Sequence, residues 1–283
     1  MSIARHGSGP TAVGAAYIAK VHPVFMLPPI AAAAFGAILA GALNPAAATI
    51  HGVAIFSAVY TAHLKDGYVD FYVRDEDADS PLTERGFWVG ITAASAVMAG
   101  CLLALYLLVD IWAVLLTLPG WLIGYLHAPQ LDTNPITATG GYPLGIALAI
   151  IGGYYVQVQS LSVEAVALAA VFLILLSGVK IVDDLQDHAW DAANQKRSAG
   201  VALGVARAHR IAMALMAAAM LLVVVCSAGA IVAPSSALAA VVFLPVVYLA
   251  RQRDPRIGTM LLIRGSYLVL AVLIAAAWWR PLS

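Results

Sequence analysis

The chain has 283 residues, 62% of them hydrophobic and only 11% charged, and its 15 Lys and Arg are balanced by 15 Asp and Glu. A soluble domain carries about 25% charged residues, so this composition excludes a soluble globular protein and predicts a polytopic membrane protein embedded in the lipid bilayer. The zero net charge says nothing about nucleic acid, which is not expected as a partner of a chain buried in lipid, and the two cysteines, Cys101 and Cys226, sit in apolar runs that argue against a disulfide framework.

The first twenty residues contain charges but no apolar core ahead of a cleavage site, so no cleavable signal peptide is expected. Apolar runs then follow at about 21–43, 48–64, 87–109, 111–127, 143–159, 163–181, 208–229, 233–250 and 258–279. Crossing a bilayer takes about 20 residues, and the shorter runs reach this with their flanks. Lipid offers no partner to an open backbone, so all nine spans are predicted to be helices. Pro28, Pro29 and Pro119 predict kinks or local unwinding.

Charge fixes the orientation. With loops assigned to alternate sides, fourteen of the fifteen Lys and Arg, from Arg5 to Arg264, fall with the N-terminus, and only Arg280 falls opposite. By the positive-inside rule the N-terminal side is cytoplasmic, which places the chain in a cell membrane. The expected organisation is all-α: one transmembrane domain over 1–283, built from two weak repeats at about 20–127 and 143–250 plus a ninth helix at 258–279.

Two acidic clusters stand where even-numbered spans reach the cytoplasmic side, Asp66 to Glu84 and Asp183 to Asp191. On a helix, positions i, i+4 and i+8 share a face, so Asp183, Asp187 and Asp191 predict a carboxylate stripe, and Asp66 and Asp70 a second one that next reaches Arg74. Stacked carboxylates repel, and charges at a membrane are usually functional. A divalent cation would offset the repulsion, and Mg²⁺ is commonly held by one or two carboxylates plus substrate phosphates. Two facing stripes would therefore clamp a diphosphate through Mg²⁺, with Lys65, Lys180, Lys196 and Arg197 neutralising phosphate oxygens. Arg74, one helical step past Asp70, would meet the same diphosphate. Asp75, Glu76, Asp77 and Asp79 read as solvated loop charges, and Asp184 as either a supporting or an exposed group.

These residues resemble the UbiA superfamily of intramembrane prenyltransferases. That family's second motif, D-x-x-x-D-x-x-x-D, is intact from Asp183 to Asp191. Its first, N-x-x-x-D-x-x-x-D, is altered: Asp66 replaces the Asn, Asp70 matches, and Arg74 replaces the last Asp. "YLHAPQLD", Tyr125 to Asp132, is similar to the family's Y-x-x-P-P-L-K element, with Asp132 in place of the basic residue. The resemblance implies nine helices around a central cavity, an isoprenyl diphosphate and a lipophilic acceptor as partners, and Mg²⁺ as cofactor. It further implies catalytic roles for Asp66, Asp70, Asp183 and Asp187, metal ligation by these and Asp191, and a diphosphate contact from Tyr125. Tyr68, Tyr125, Tyr154 and Tyr155 are candidates for lining a cavity that shelters an allylic cation. His63 and His127 are candidate bases at helix ends. A terpene cyclase of the same fold and a cation-coupled transporter are the alternatives.

Overall fold

Local chemistry sets the helix boundaries before packing does. Asn44, Thr83, Asp110, Asn134 and Ser162 each precede a long helix, and each side chain accepts a first-turn backbone N–H. Such caps satisfy donors that the helix leaves unpaired and are worth about 1 kcal/mol apiece.

The computed structural model describes residues 2–194 and 196–279. Among these it contains twelve α-helices: α1 (Gly9–Ile18), α2 (Pro23–Leu39), α3 (Pro45–Tyr68), α4 (Glu84–Leu108), α5 (Ile111–Leu126), α6 (Pro135–Val158), α7 (Val163–Asp184), α8 (His188–Ala193), α9 (Ala199–Leu203), α10 (Val205–Ala228), α11 (Leu238–Arg251) and α12 (Pro255–Trp279). With their adjoining π or 3₁₀ turns, eight of them, α3 to α7 and α10 to α12, form helical stretches long and apolar enough to cross a bilayer. The pair α1 and α2 is bent by 70° at the break between them, the geometry of a broken span or a re-entrant loop, and counted as one span it brings the total to nine. The molecule is a multi-pass, all-helical membrane protein, as its composition requires. Arg280, the lone cation assigned to the opposite side, lies outside the described residues.

The helices close into a ring. α2 packs on α3 and α6, α3 on α4 and α5, α6 on α7, α7 on α10, and α12 on α11, α2 and α7. Without a hydrophobic drive between helices in lipid, close backbone approach supplies much of the packing. The α2–α6 contact depends on it: a Cβ on Gly36 would lie 2.0 Å from the Ile150 carbonyl oxygen, and one on Gly153 would lie 2.1 Å from that of Ala33.

The prolines of α2 behave differently from the expectation. The helix runs unbroken through Pro28 and Pro29, and α5 runs unbroken through Pro119. A proline at position i leaves the carbonyl of i−4 without its helical donor. Here the carbonyl oxygens so freed are those of Val24 and Phe25. The Tyr267 hydroxyl of α12 donates to Val24 O at 2.6 Å, and the Tyr142 hydroxyl of α6 donates to Phe25 O at 3.4 Å. The two prolines thus leave the helix intact and open two docking points for its neighbours.

Candidate active site

The ring encloses a cavity of about 450 Å³, walled by α2, α3, α5, α6, α7 and α12. Most of the wall is apolar, with Phe25, Pro28, Ile55, Ile146, Phe172 and Leu270 among its residues. Its polar members gather where α3, α5 and α7 end and α2 begins: His22, His63, Asp66, His127, Lys180 and Asp183. The first members of both acidic clusters, Asp66 and Asp183, therefore face one cavity. The aromatic hydroxyls on its wall belong to Tyr142 and Tyr267. Tyr68, Tyr125, Tyr154 and Tyr155, the expected lining residues, stand elsewhere; Tyr155 donates to Asp110 Oδ2 at 2.7 Å. Sequence periodicity did not separate these tyrosines, because the choice depends on which helix faces turn inward.

Neither carboxylate stripe is a continuous α-helical ladder. α3 passes into a π-helical turn at Val69–Val73, so Asp70 sits on a wider coil than Asp66, and Arg74 caps its end. Such turns recur at functional sites. α7 stops at Asp184, before the stripe can extend. Asp187 is exposed in the turn that follows, and Asp191 is buried on the short α8. The i+4 pattern assumed one helix, but the chain turns between Asp184 and His188. Lys180 Nζ is already engaged, 2.5 Å from Asp184 Oδ1 and 3.7 Å from Asp183 Oδ2. Asp184 is therefore a buried partner of the lysine.

Beyond the cavity, three connecting segments meet in a charged cap. Arg74 Nη2 lies 2.6 Å from Asp132 Oδ2, with Arg74 Nε 3.9 Å from Glu76 Oε1 and Nη1 4.0 Å from Asp70 Oδ1. Lys196 Nζ donates to Glu76 Oε2 at 3.0 Å, and the Arg197 amide donates to the Asp132 carbonyl oxygen at 3.0 Å. Glu76, expected to be solvated, is instead a central member of this cap, with a side chain only 12% exposed. Burial alone would lower the Lys196 ammonium, yet its hydrogen bond to Glu76 and the charges of Asp70 and Glu76 hold it above its ordinary value. The Arg197 side chain is exposed.

Lys65 and Tyr125 are not among the cavity-lining residues. Lys65 is buried in an aromatic box, its Nζ 5.1 Å from the Trp88 ring centroid, 5.3 Å from that of Tyr125 and 5.9 Å from that of Tyr68. Rings with negative faces stabilise an ammonium held in this way.

The donor set fits a hard cation. Asp70 Oδ1 and Asp184 Oδ2 are buried without a hydrogen-bond partner, and the Asp66 and Asp183 carboxylates front the cavity. Among the described residues no three His, Cys, Asp or Glu are gathered closely enough to enclose a metal by themselves. That is the arrangement for an ion shared with phosphate oxygens, which Mg²⁺ favours over an all-protein cage.

A membrane-embedded helical ring with a polar-ended apolar cavity defines the class: a protein that handles a lipid-like molecule bearing a charged head. The family model of the UbiA prenyltransferase family matches residues 83–262, and the chain belongs to that family. Solved structures share the fold at low identity. A structure reporting on digeranylgeranylglyceryl phosphate synthase in membranes superposes with TM-score 0.72 at 14% identity, over 95% of this chain and 98% of that one. A UbiA homologue from Archaeoglobus fulgidus bound to GPP and Mg²⁺ gives 0.71 at 16% identity, over 94% and 99%. An apo UbiA homologue from Aeropyrum pernix K1 gives 0.70 at 16% identity, over 90% and 98%. No curated protein sequence matches the chain.

Proposed function

We propose that this chain transfers an isoprenyl group from an allylic diphosphate to a lipophilic acceptor within the membrane. The observation that carries the reading is the single cavity in which Asp66 and Asp183, from two separate acidic segments, head a long apolar chamber. Structural relatives bound to DMAPP with Mg²⁺ and to GPP with Mg²⁺ support this choice of donor.

In this reading the diphosphate lies at the polar end and the isoprenyl chain lies along Phe25, Ile55 and Phe172. Asp66, Asp70, Asp183, Asp187 and Asp191 would hold Mg²⁺, which supplies positive charge to the departing diphosphate. Lys180 at the polar end of the cavity, and Lys196 and Arg197 from the segment that joins the cap, would be the donors to the phosphate oxygens. Arg74, Lys65 and Tyr125 support the site from outside the chamber: Arg74 holds the cap, and Lys65 fixes the aromatic box next to Asp66. The apolar wall excludes water from the allylic centre, which directs it to the acceptor. The polar end faces the cytoplasm of the cell membrane, in line with the clustering of Lys and Arg there. The whole chain forms one domain of two weak helical repeats plus a final helix.

The test uses purified full-length protein in lipid nanodiscs with geranyl diphosphate and Mg²⁺. Diphosphate release coupled to a prenylated lipid supports transfer. Release with only a hydrocarbon or alcohol product indicates cyclisation or hydrolysis, and no release refutes the reading.

A further inference from the structure

Seven histidines occur in the chain; His209 is exposed on α10, and the surroundings of the other six sort them. His51 is buried with both ring nitrogens engaged, Nδ1 with Thr117 Oγ1 at 3.2 Å and Nε2 with the Ala149 carbonyl at 3.3 Å. His188 Nδ1 meets the Leu185 carbonyl, and His6 meets Asp79. These three are held in place by their partners. His22, His63 and His127 are different: all three line the cavity, and among the described residues none of their imidazole rings makes a hydrogen bond. An imidazole with an unclaimed nitrogen is kept neutral by an apolar surrounding, so it presents a lone pair to the chamber.

His63 is the best placed. It sits three residues before Asp66, on the same face of α3, with Val59 and Ala62 continuing the wall into the apolar chamber. It therefore stands at the boundary between the charged head and the isoprenyl chain, which is where the reacting carbon lies in the proposed function. The His22 ring packs beside it, 5.0 Å between centroids, and Phe25 lies 6.5 Å away. The other charged or titratable groups facing this end are Lys20 from the turn before α2, Asp66 from α3, His127 beyond α5, Tyr142 from α6, Lys180 and Asp183 from α7, and Tyr267 from α12. Asp66 and Asp183 are committed to the cation in that reading, and Lys180 is held by Asp184.

We infer that His63 is the general base of the transfer, the group that takes the one proton a hydroxyl or ring acceptor loses as it is prenylated. The acceptor's electron pair bonds to the allylic C1. The C1–O bond breaks, and its electrons leave with the diphosphate. The acceptor's proton passes to the unprotonated His63 ring nitrogen and from there to water. The inference rests on the prenyl-transfer reading. A positioned base contributes about 10² to 10⁴-fold.

The test compares wild type with His63→Gln, which retains a planar polar side chain, and with His51→Gln as a structural control. The donor is geranyl diphosphate with Mg²⁺, and the acceptor probe is a glycerol ether lipid with one free hydroxyl. Three quantities are measured: donor binding by calorimetry, diphosphate release, and prenylated lipid. The expected result is that His63→Gln binds the donor with unchanged affinity and melts at an unchanged temperature, while prenylated lipid falls by about 10²-fold or more. Added imidazole should restore part of the transfer in His63→Ala but not in His51→Gln. Transfer within about threefold of wild type in His63→Gln, or its loss together with donor binding, overturns the assignment. If wild type releases diphosphate yet prenylates only water, His63 takes no proton from a lipid acceptor and the assignment fails, while the donor chemistry survives. If wild type releases no diphosphate, the prenyl-transfer reading fails first and this inference falls with it.

Discussion

Arg74 and Asp132 form a close ion pair, 2.6 Å between Nη2 and Oδ2, with side chains 11% and 14% exposed. Arg74 stands where the family's first motif ends in Asp, and Asp132 stands where the family's Y-x-x-P-P-L-K element carries a basic residue. The two departures have opposite charge and face each other, so each accounts for the other. Breaking a buried pair strands the remaining charge, at a cost of about 3–5 kcal/mol, whereas exchanging the partners keeps the attraction. Arg74→Asp and Asp132→Arg should each lower the melting temperature in detergent and weaken geranyl diphosphate binding. The double exchange should recover most of both losses. Strictly additive losses in the double variant would show that the pair does not organise the cap.

Asp66→Asn and Asp183→Asn remove the charges that front the cavity. Each should lower turnover by about 10²-fold or more with little change in melting temperature, since relieving carboxylate repulsion does not weaken the fold. Asp187→Ala should leave the melting temperature unchanged and raise the Mg²⁺ concentration needed for half-maximal turnover. Chelation of Mg²⁺ should stop turnover reversibly. Titration of Mg²⁺ against each variant checks the set, and an unchanged Mg²⁺ requirement in all three would remove the acidic segments from the metal site.

Lys65 separates a structural lysine from a phosphate-binding one. Its ammonium rests among Trp88, Tyr125 and Tyr68, and such contacts are worth about 2 kcal/mol when desolvated. Lys65→Met should therefore lower the melting temperature while leaving diphosphate affinity within about twofold of wild type. Calorimetric titration with geranyl diphosphate distinguishes the roles, because a direct phosphate contact would lose affinity by well over tenfold.

Tyr267 satisfies the carbonyl of Val24 that Pro28 deprives of a helical donor. Tyr267→Phe should destabilise the protein by about 0.5–1 kcal/mol, the net worth of one hydrogen bond to an accessible carbonyl. In a Pro28→Ala background the helix supplies its own N–H to Val24, so the same substitution should cost much less. A thermal double-mutant cycle reads this coupling, and equal costs in the two backgrounds would show that the proline and the tyrosine act separately.

Much of this protein is set by the order of residues along the chain. Runs of apolar side chains about 20 residues long have only the helical solution in lipid, so the helical spans follow from composition. The polar caps before α3 to α7 and the pairing of two acidic exits are equally local, and they identify Asp66 and Asp183. What the sequence left open depends on rotation and closure. Whether Tyr142 or Tyr154 faces the cavity is a matter of helix rotation within one span, and a buried face carries no distinct pattern when every face is apolar. Glu76 and Asp132 look solvated in isolation; they become cap residues only because segments more than fifty positions apart meet, Arg74 to Asp132 and Glu76 to Lys196. The stripe at Asp183 to Asp191 is periodic in sequence yet broken in space, because α7 ends at Asp184 and the chain turns there. Tertiary contact decided these points because a charge finds its partner by distance in space, and spacing along the chain does not record that distance.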